Sequence, residues 1–564
     1  MGTRENVLAN YDYSLQGRFL LKKYYNEEKL MSDKILAAGS HDEFGEALVQ
    51  KQQITHLISK TLNKKAFVAI NTPLIERESV FEQYQYDNVF HLRDQIGENL
   101  VLRPDLTLPV ARFLASKSQQ AHVQKFYYIG DVFRRTDYLS GEYNQETQAG
   151  IELIGDASFD AEMQALDIML DFAQQFEIAD VQVVISDTRL IDRVLGTLDI
   201  SSEQQISLKQ AIESKNMTAF EKVRMTIKNF PTHLKKWPLA FGEAGETVMW
   251  QLQGLPEVND LVDRWLQLAA FIHERYPDVA VTVDLASASP QTYYTGTIIR
   301  GFVPSLGRYL FSGGRYDRLL ESFQTESLPA VGMGFNIDTI MAEWRREAAD
   351  HNPVEPIVVV LAKGRVEQDT RPLLKAAGID TTPLENPDRK LVFDSPDGIY
   401  RFILVKPDDV VKYLDRGIGD VGIVGSDTIA EQIQNHYDVL NLQTGQATFV
   451  LAARQNFKLN DIQRKRIATK YPKTASRYFS QHGEDVELVK LSGSVELGPL
   501  TGLSDAIIDI TQTGDTLREN NLVIYDTVGE VATHLLVRPG ALLQFQSELK
   551  QVIENLIMLL DQRK

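Results

Sequence analysis

The stretch at 504–517, SDAIIDITQTGDTL, constrains the fold of this chain more than any other. Its apolar run at 506–510 is short and rich in isoleucine, which is typical of a buried strand in a parallel sheet. The run is followed by a polar turn, TGDT at 513–516. Such a turn offers backbone N–H groups and hydroxyls that can surround a phosphate group, especially where a helix begins next. A buried strand followed by a polar turn that binds nothing has the same pattern, so both interpretations stay open.

Two carboxylates belong to this stretch, Asp505 before the apolar run and Asp509 near its end. A carboxylate at the end of a strand can bind the hydroxyl groups of a sugar or a metal ion. A phosphate-binding turn beside an acidic strand end is what a phosphoribosyl diphosphate site requires. The candidate residues for this substrate are Asp505, Asp509, Thr513, Gly514, Asp515 and Thr516.

Composition limits the class of protein. The 564 residues predict three or four domains, and a hydrophobic content of 43% is ordinary for a chain that forms globular cores. The chain has no cysteine, which excludes disulfides and thiolate metal sites. It has no apolar run near ~18 residues and no apolar signal-peptide core at its start, so we expect a cytoplasmic protein without membrane contact. A net charge of -18 argues against a nucleic-acid partner.

The first part of the chain mixes helical and strand patterns. Residues 1–35 match nothing that follows and are interpreted as an N-terminal extension. One face of a predicted helix carries the apolar residues Ile54, Leu57, Ile58 and Leu62. Between 100 and 155, alternating apolar positions on either side of a Gly-containing turn predict antiparallel strands. Residues 205–245 have a helical, polar pattern to which the sequence assigns no role.

Several ordered motifs lie between 36 and 345: RPDLT at 103–107, Arg134, QAGIE at 148–152, YYTG at 293–296 and GGRYD at 313–317. Together they resemble the catalytic core of class II aminoacyl-tRNA synthetases, and within that class the histidyl enzyme. The resemblance implies an antiparallel sheet with helices over residues 36–345. It also implies a pocket for histidine formed by Asp105, Thr107, Arg134, Gln148, Glu152, Tyr293 and Tyr294.

The chain departs from this family where adenylate chemistry is performed. Ser289 and Thr339 occupy positions at which the family carries arginines. Two cations that would stabilise a phosphoryl transition state are therefore missing, and no anticodon-binding domain follows. The retained pocket can bind histidine without activating it, which predicts a regulatory domain. The alternative is that the pocket residues are relics packed in the core.

The pattern changes after the segment at 346–356, which is charged and contains proline and reads as a linker. Apolar runs at 357–361, 402–405 and 420–425 alternate with helical stretches, which predicts an α/β domain with a parallel sheet over 357–564. The first predicted helix of this domain ends at Gly378. The last is a single amphipathic helix with one face formed by Leu542, Phe545, Leu549, Val552 and Leu556.

The motifs of this half are KGR at 363–365, KPDDVVKYLDRGIGDVGIVGSD at 406–427, IATKYP at 467–472 and GSVELGP at 493–499. They resemble the short form of ATP phosphoribosyltransferase, the first enzyme of histidine biosynthesis, which implies a two-lobed fold like that of periplasmic binding proteins. Local departures from the family are Lys406, Ser426 and Gln512, and none removes an acidic residue or the turn.

The resemblance implies transfer of a phosphoribosyl group to ATP with release of diphosphate, assisted by Mg²⁺. Glu496 and Asp509 match the acidic pair of the family and are the expected metal ligands. Both are expected to be catalytic, with Lys363 and Arg365. Residues expected to face ATP or diphosphate are Lys363, Gly364, Arg365 and Lys470.

Both resemblances together predict a fusion of a synthetase-like regulatory domain with the transferase. The expected ligands are ATP, phosphoribosyl diphosphate and histidine as a feedback inhibitor, and a homo-oligomer is expected. Fusion also raises the effective concentration of the regulatory part, to about the mM range for a short linker. Two alternatives remain: a bifunctional histidyl-tRNA synthetase and phosphoribosyltransferase, or a solute-binding module.

Overall fold

The computed structural model describes residues 36–37, 39–82, 84, 88–117, 123–136, 143–252, 254–289, 291–304, 308–323, 327–347, 356–385, 390–432, 436–458 and 464–563. The predicted extension at 1–35 and most of the predicted linker at 346–356 lie outside these residues. Within the described ranges, no helix combines the length and the apolar character that crossing a membrane requires.

The first half of the chain forms one large sheet and one small sheet with helices. Its strands are β1 Val68–Ala69, β2 Ile75–Arg77, β3 Phe90–Arg93, β4 Asn99–Leu102, β5 Gln124–Phe133, β6 Gln145–Ile154, β7 Gln182–Asp187, β8 Ala280–Val283, β9 Thr297–Val303, β10 Arg308–Arg315 and β11 Ala330–Asn336. Its helices are α1 Gly45–Lys64, α2 Thr107–Ala115, α3 Phe159–Gln175, α4 Leu190–Leu195, α5 Ser202–Glu213, α6 Met217–Arg224, α7 Gly242–Leu252, α8 Asn259–Arg275 and α9 Ile337–Glu347.

The large sheet has the strand order β1-β5-β6-β11-β10-β9-β7-β8. Its β5 and β6 are antiparallel, with Gln124 opposite Ile154, so the prediction of antiparallel strands between 100 and 155 is confirmed. Helix α1 buries the predicted apolar face, with Ile54, Ile58 and Leu62 each about 1% exposed. The pairing of β6 with β10 through β11 brings QAGIE of β6 and the first three residues of GGRYD, at the end of β10, onto one sheet.

The second half forms two further sheets, one for each lobe. Its strands are β12 Ile357–Ala362, β13 Val392–Asp394, β14 Tyr400–Val405, β15 Val421–Gly425, β16 Tyr437–Asn441, β17 Ala447–Ala453, β18 Lys465–Thr469, β19 Val486–Lys490, β20 Ala506–Thr511, β21 Val523–Val531 and β22 Thr533–Val537. Its helices are α10 Arg365–Ala376, α11 Pro407–Asp415, α12 Ser426–Ala430, α13 Pro472–Gln481, α14 Leu497–Thr501, α15 Asp515–Glu519, α16 Pro539–Gln544 and α17 Gln546–Asp561.

The first lobe has the strand order β13-β14-β12-β15-β22-β16 and the second has β19-β18-β20-β17-β21. The three apolar runs predicted as strands are β12, β14 and β15, and they pair in parallel as expected. The stretch around Asp509 is β20, which pairs in parallel with β18 but antiparallel with β17. The expectation of a parallel sheet is therefore confirmed only in part: each lobe has a parallel core, to which β13, β22 and β16 add antiparallel pairs in the first lobe and β17 and β21 add them in the second.

The C-terminal amphipathic helix is also interrupted. Phe545 has φ -118° and ψ 45°, outside the helical region, and separates α16 from α17. Phe545 still packs against the core, as do the buried Leu542, Leu549, Val552 and Leu556. The predicted apolar face is thus correct, whereas the prediction of a single continuous helix was wrong.

Residues 205–245 belong to the first half of the chain and contact the second half. They are helical as predicted, and they bury Trp237, whose indole N–H donates to the carbonyl oxygen of Leu285 at 2.9 Å. Contacts with the second half are the hydrogen bonds of Asn441 to Thr218 and of Gln546 to Phe241, each 2.9 Å, and the Lys236–Glu554 ion pair, also 2.9 Å. One continuous apolar cluster includes buried residues of both halves, from Ile54 to Leu560.

Candidate functional site

The TGDT turn follows β20 directly and is held by its own polar groups. Gly514 has φ 75°, a left-handed conformation that favours glycine. Its N–H donates to the hydroxyl of Thr511 at 2.9 Å, and the hydroxyl of Thr513 donates to Asp515 at 2.5 Å. The side chains of Thr513, Asp515 and Thr516 lie close to the start of α15. The turn therefore places two hydroxyls and several N–H groups at the end of the strand.

Asp509 lies in β20, close to this turn, and is half-buried. Burial, together with the nearby carboxylates of Glu496 and Asp427, raises the pKa of Asp509 to about 6, while Lys470 opposes the shift. Glu496 immediately precedes α14. The structure therefore brings the predicted acidic pair into electrostatic contact, with one of the predicted cations beside it.

The carboxylates of Glu496 and Asp509 are the side chains of this site that could bind a metal ion. Among the described residues, no three His, Asp or Glu side chains converge as metal ligands. The repulsion between Glu496 and Asp509 that raises the pKa of Asp509 is relieved by a cation. The two carboxylates fit Mg²⁺ if substrate oxygens complete its coordination, as is usual for magnesium bound with phosphates.

The KGR segment lies at the end of β12, in the other lobe. Gly364 has φ 106°, which again favours glycine, and it begins α10. Lys363 and Arg365 are exposed. A guanidinium N–H of Arg365 donates to the side-chain oxygen of Gln512 at 2.5 Å, so Arg365 reaches across to the residue just before the TGDT turn. Gln512, noted in the sequence as a departure from the family, is therefore a contact between the lobes.

Lys470 lies between the lobes as well. Its ammonium group is 3.5 Å from a carboxylate oxygen of Asp408 and 5.6 Å from the centre of the Tyr471 ring. The hydroxyl of Tyr471 donates to Asp427 at 3.1 Å. The sequence did not single out Asp408, Tyr471 or Asp427. Asp427 is the last residue of the motif at 406–427, and Tyr471 is the fifth residue of IATKYP at 467–472. Their membership of these motifs could have indicated both residues.

Asp505 is placed away from the turn. It precedes β20, at the end of the strand opposite to Thr511, and its carboxylate accepts hydrogen bonds from Arg466 at 2.8 Å and 3.3 Å. Both bonds join β20 to the start of the neighbouring strand β18. The structure therefore separates Asp505 from the other candidate residues for phosphoribosyl diphosphate and gives it a contact within the sheet.

The predicted histidine pocket opens into a cavity of about 1500 Å³ between the two halves. Six of the seven predicted residues line it: Asp105, Thr107, Arg134, Gln148, Tyr293 and Tyr294. The transferase half contributes the charged residues Asp408, Lys412, Asp415, Arg416, Glu431, Lys470, Lys473 and Lys490. A ligand in the pocket would thus lie close to the transferase lobes.

The lining residues of the pocket are fixed by hydrogen bonds. Asp105 accepts from the N–H of Leu108 at 2.9 Å and from the hydroxyl of Tyr293 at 3.3 Å. Burial raises the pKa of Asp105, and the Arg134 guanidinium opposes this. The rings of Tyr293 and Tyr294 lie 5.0 Å apart, centre to centre. The pocket therefore offers a carboxylate beside aromatic walls.

Glu152, the seventh predicted residue, lies beneath this cavity. It is 1% exposed, and the hydroxyl of Tyr316 donates to its carboxyl group. Burial is the main cause that raises the pKa of Glu152 to about 8, with a further increase from Asp105 and a decrease from the hydroxyls of Thr107 and Tyr128. The carboxyl group is therefore mainly protonated at neutral pH. Tyr316, within the GGRYD motif, was not predicted as a site residue.

Ser289 and Thr339 make local contacts. The Ser289 hydroxyl donates to the carbonyl oxygen of Gln291 at 2.5 Å, and the N–H of Thr339 donates to Asn336 at 3.0 Å. The guanidinium group of Arg300 donates to the hydroxyl of Ser287 at 3.0 Å and to the carbonyl oxygen of Ala288 at 3.2 Å. Among the described residues, neither of the two substituted positions carries a positive charge.

Comparisons with known proteins match the two halves separately. A family model described as histidyl-tRNA synthetase matches residues 39–340, and one described as ATP phosphoribosyltransferase matches residues 406–561. An ATP phosphoribosyltransferase regulatory subunit of Lacticaseibacillus casei (strain BL23) is 37% identical over 317 residues, which is 55% of this chain and 82% of that protein. An ATP phosphoribosyltransferase of the same strain is 49% identical over 201 residues, which is 36% of this chain and 94% of that protein.

A solved structure supports the fold of the first half. An ATP phosphoribosyltransferase regulatory subunit/histidyl-tRNA synthetase from Bacillus halodurans has a TM-score of 0.50 and 22% sequence identity. The match covers 66% of this chain and 99% of that one. At this identity the likeness concerns the fold alone, and it agrees with the class II synthetase-like sheet described above.

Proposed function

We propose a function from the families to which the two parts of this chain belong. The C-terminal part belongs to the ATP phosphoribosyltransferase family, and the N-terminal part belongs to the histidyl-tRNA synthetase family, among the regulatory subunits of that transferase. The proposed reaction converts ATP and phosphoribosyl diphosphate into 1-(5-phosphoribosyl)-ATP and diphosphate. This is the first step of histidine biosynthesis. The observation that carries the proposal is the Glu496–Asp509 pair, in which Asp509 lies on the strand that leads into the TGDT turn, with Lys470 beside it.

Each residue has a role that follows from its place. N1 of adenine attacks the anomeric carbon, and the bond to diphosphate breaks with its electron pair leaving on the diphosphate oxygen. The ribosyl carbon gains positive charge in the transition state, which the ionised Asp509 can stabilise. The TGDT turn binds the 5′-phosphate through its N–H groups and hydroxyls. Lys363, Arg365 and Lys470 neutralise the ATP phosphates or the leaving diphosphate.

Mg²⁺ is proposed as the cofactor, held by Glu496 and Asp509 together with substrate oxygens. It would neutralise charge on the departing diphosphate. The residues of the chain orient both substrates, because N1 of adenine is already nucleophilic and needs no general base. Catalysis by this site is therefore mainly positioning and electrostatics.

The arrangement of two lobes around these residues supports a fold like that of periplasmic binding proteins, with the substrates bound between the lobes. The acidic strand end and the phosphate-binding turn favour a transferase over a solute-binding module with the same fold. We also propose that the protein is cytoplasmic, forms a homo-oligomer and binds no nucleic acid. The negative net charge of -18 supports the last point.

We propose further that histidine binds the synthetase-like pocket and inhibits the transferase. Asp105, the paired tyrosine rings and Arg134 suit the charged groups and the imidazole of an amino acid. The opening of this pocket towards the transferase lobes supports a coupling between the two sites. A coupling of about 1–3 kcal/mol would give roughly 5–150-fold inhibition. Ser289 and Thr339 argue against the bifunctional synthetase.

The test of the transferase activity is direct. Product formation from ATP and phosphoribosyl diphosphate with Mg²⁺ is measured for the wild-type chain and for Asp509→Asn, which removes the charge and keeps the size. We expect activity in the wild type and the loss of most turnover in the variant, with the thermal midpoint retained. Wild-type kcat/KM in Asp509→Asn would contradict the site assignment, and no activity in the wild type would contradict the function.

A further inference from the structure

The N-terminus of α13 receives its cap from the other lobe. Tyr471, the residue before the helix, makes no capping hydrogen bond with its side chain. Instead, the N–H groups of Lys473 and Thr474 donate to the two carboxylate oxygens of Glu431 at 2.9 Å and 2.8 Å. The hydroxyl of Thr474 also donates to Glu431 at 2.8 Å. The first N–H groups of a helix have no partner inside it, so Glu431 supplies what the helix itself lacks.

Glu431 and α13 belong to different sheets. Glu431 directly follows α12, between β15 and β16 of the first lobe, whereas α13 lies between β18 and β19 of the second lobe. Asp427 is one helical turn before Glu431 and accepts the hydrogen bond from Tyr471. Two carboxylates from one turn of helix in the first lobe therefore bind one short segment of the second lobe.

The segment that these carboxylates hold contains a cation of the proposed site. Lys470 immediately precedes Tyr471, and its charge acts on Asp509, lowering the pKa that burial raises. Lys470 stays beside Asp509 through the pairing of β18 with β20, in which Thr469 lies opposite Ile508. The contact of α13 with the first lobe therefore sets how Lys470 faces the KGR segment of that lobe. A charged carboxylate that accepts three hydrogen bonds is a strong link, since charge-assisted hydrogen bonds are roughly twice as strong as neutral ones.

We propose that Glu431 is a positioning residue of the transferase: by capping α13 across the cleft, it holds the two lobes together and keeps Lys470 of the second lobe facing the substrate phosphates beside Lys363 and Arg365 of the first. The inference rests on the role proposed above for Lys470. Glu431 itself need not touch either substrate, because its effect passes through the helix and the segment before it.

The test is a double-mutant cycle in the full chain. Glu431→Gln keeps the shape of the side chain but loses its charge and one acceptor oxygen, and we expect kcat/KM to fall about tenfold to a hundredfold. Lys470→Ala should show a similar loss. The double variant should be less than about threefold worse than Lys470→Ala, because the position that Glu431 maintains serves the charge of Lys470 and has little further effect once that charge is absent. Glu484→Gln, just beyond the other end of α13, is the matched control and should keep wild-type activity.

A second measurement reads the cap itself. Hydrogen exchange at the N–H groups of Lys473 and Thr474 should become faster in Glu431→Gln and stay unchanged in Glu484→Gln. Thr474→Val removes the hydroxyl donor to Glu431 but keeps the backbone bonds, and it should give a smaller loss of kcat/KM than Glu431→Gln. This variant keeps the inference testable if Glu431→Gln does not fold.

The outcomes separate the inference from the proposed site. Full activity in Lys470→Ala would contradict the role proposed for Lys470. Reduced activity in Lys470→Ala with unchanged kcat/KM in Glu431→Gln would overturn the positioning role alone. Losses that multiply independently in the double variant would also overturn it, because Glu431 would then act by a route other than Lys470.

Discussion

Glu152 should make inhibition by histidine depend on pH. Its pKa is raised to about 8, so the carboxyl group carries a proton at neutral pH. In the proposed complex, we expect the α-ammonium group of histidine to pair with Glu152 as well as with Asp105, and pairing with Glu152 requires the loss of this proton. Apparent affinity is reduced by the fraction of the protein that is not in the binding-competent state. Inhibition should therefore strengthen as pH rises towards the pKa.

The size of the effect follows from the raised pKa of about 8. The ionised fraction of Glu152 rises from roughly one tenth near pH 7 to roughly one half near pH 8, so the inhibition constant should fall about fivefold over this interval. Glu152→Gln has no ionisable group at this position. The inhibition constant of this variant should be higher than that of the wild type, and it should lose the pH dependence that the ionisation of Glu152 produces.

The assay is the initial rate of product formation at increasing histidine, from about pH 7 to about pH 8.5, where the imidazole of histidine is mainly neutral. Uninhibited kcat is recorded at each pH. Glu203→Gln is the control, since Glu203 is exposed in the first turn of α5 and does not line the pocket. It should keep the pH dependence. A wild-type inhibition constant that does not change with pH, or an equal change in Glu152→Gln, would refute the reasoning.

Three further predictions concern other parts of the chain. The kcat/KM of the transferase should fall as pH decreases through about 6, because Asp509 then gains a proton and loses the charge that the site needs; a profile without this acidic limb would contradict the role. Arg365→Ala should raise KM more than it lowers kcat, measured by steady-state kinetics, because it removes both a cation and the bond to Gln512, whereas Gln512→Ala removes only the bond and should have the smaller effect. Histidine-dependent exchange of diphosphate into ATP should stay at background, because Ser289 and Thr339 provide no cation; clear exchange would support the bifunctional alternative.

The sequence predicted the parts of the site that are contiguous in the chain. The TGDT turn, the KGR turn and the acidic end of β20 are local patterns, and the glycines at 364 and 514 have the positive φ values that such turns require. Their roles in binding and catalysis stay predictions. The bounds of the N-terminal extension and of the linker also stay predictions.

Contacts between segments that are distant in the chain could not be predicted from the sequence. Arg365 and Gln512 are separated by 147 positions, and Glu431 and Thr474 by 43, and no periodic pattern relates them. The mixed pairing of β20 depends on where the chain returns from the first lobe. At Phe545 the backbone leaves the helical conformation, although the apolar residues keep their helical spacing on both sides, so the spacing alone could not indicate the break. Tertiary placement decided each of these features.

The continuous apolar cluster has a consequence for unfolding. Two domains joined only by a flexible segment melt independently, each with its own midpoint. In this chain, buried side chains from Ile54 to Leu560 pack in one cluster, with Trp237 among them. Melting either half would expose apolar surface of the other, so heat should denature them in a single cooperative calorimetric transition. A destabilising substitution in the regulatory half would then lower the melting temperatures of both halves by the same amount.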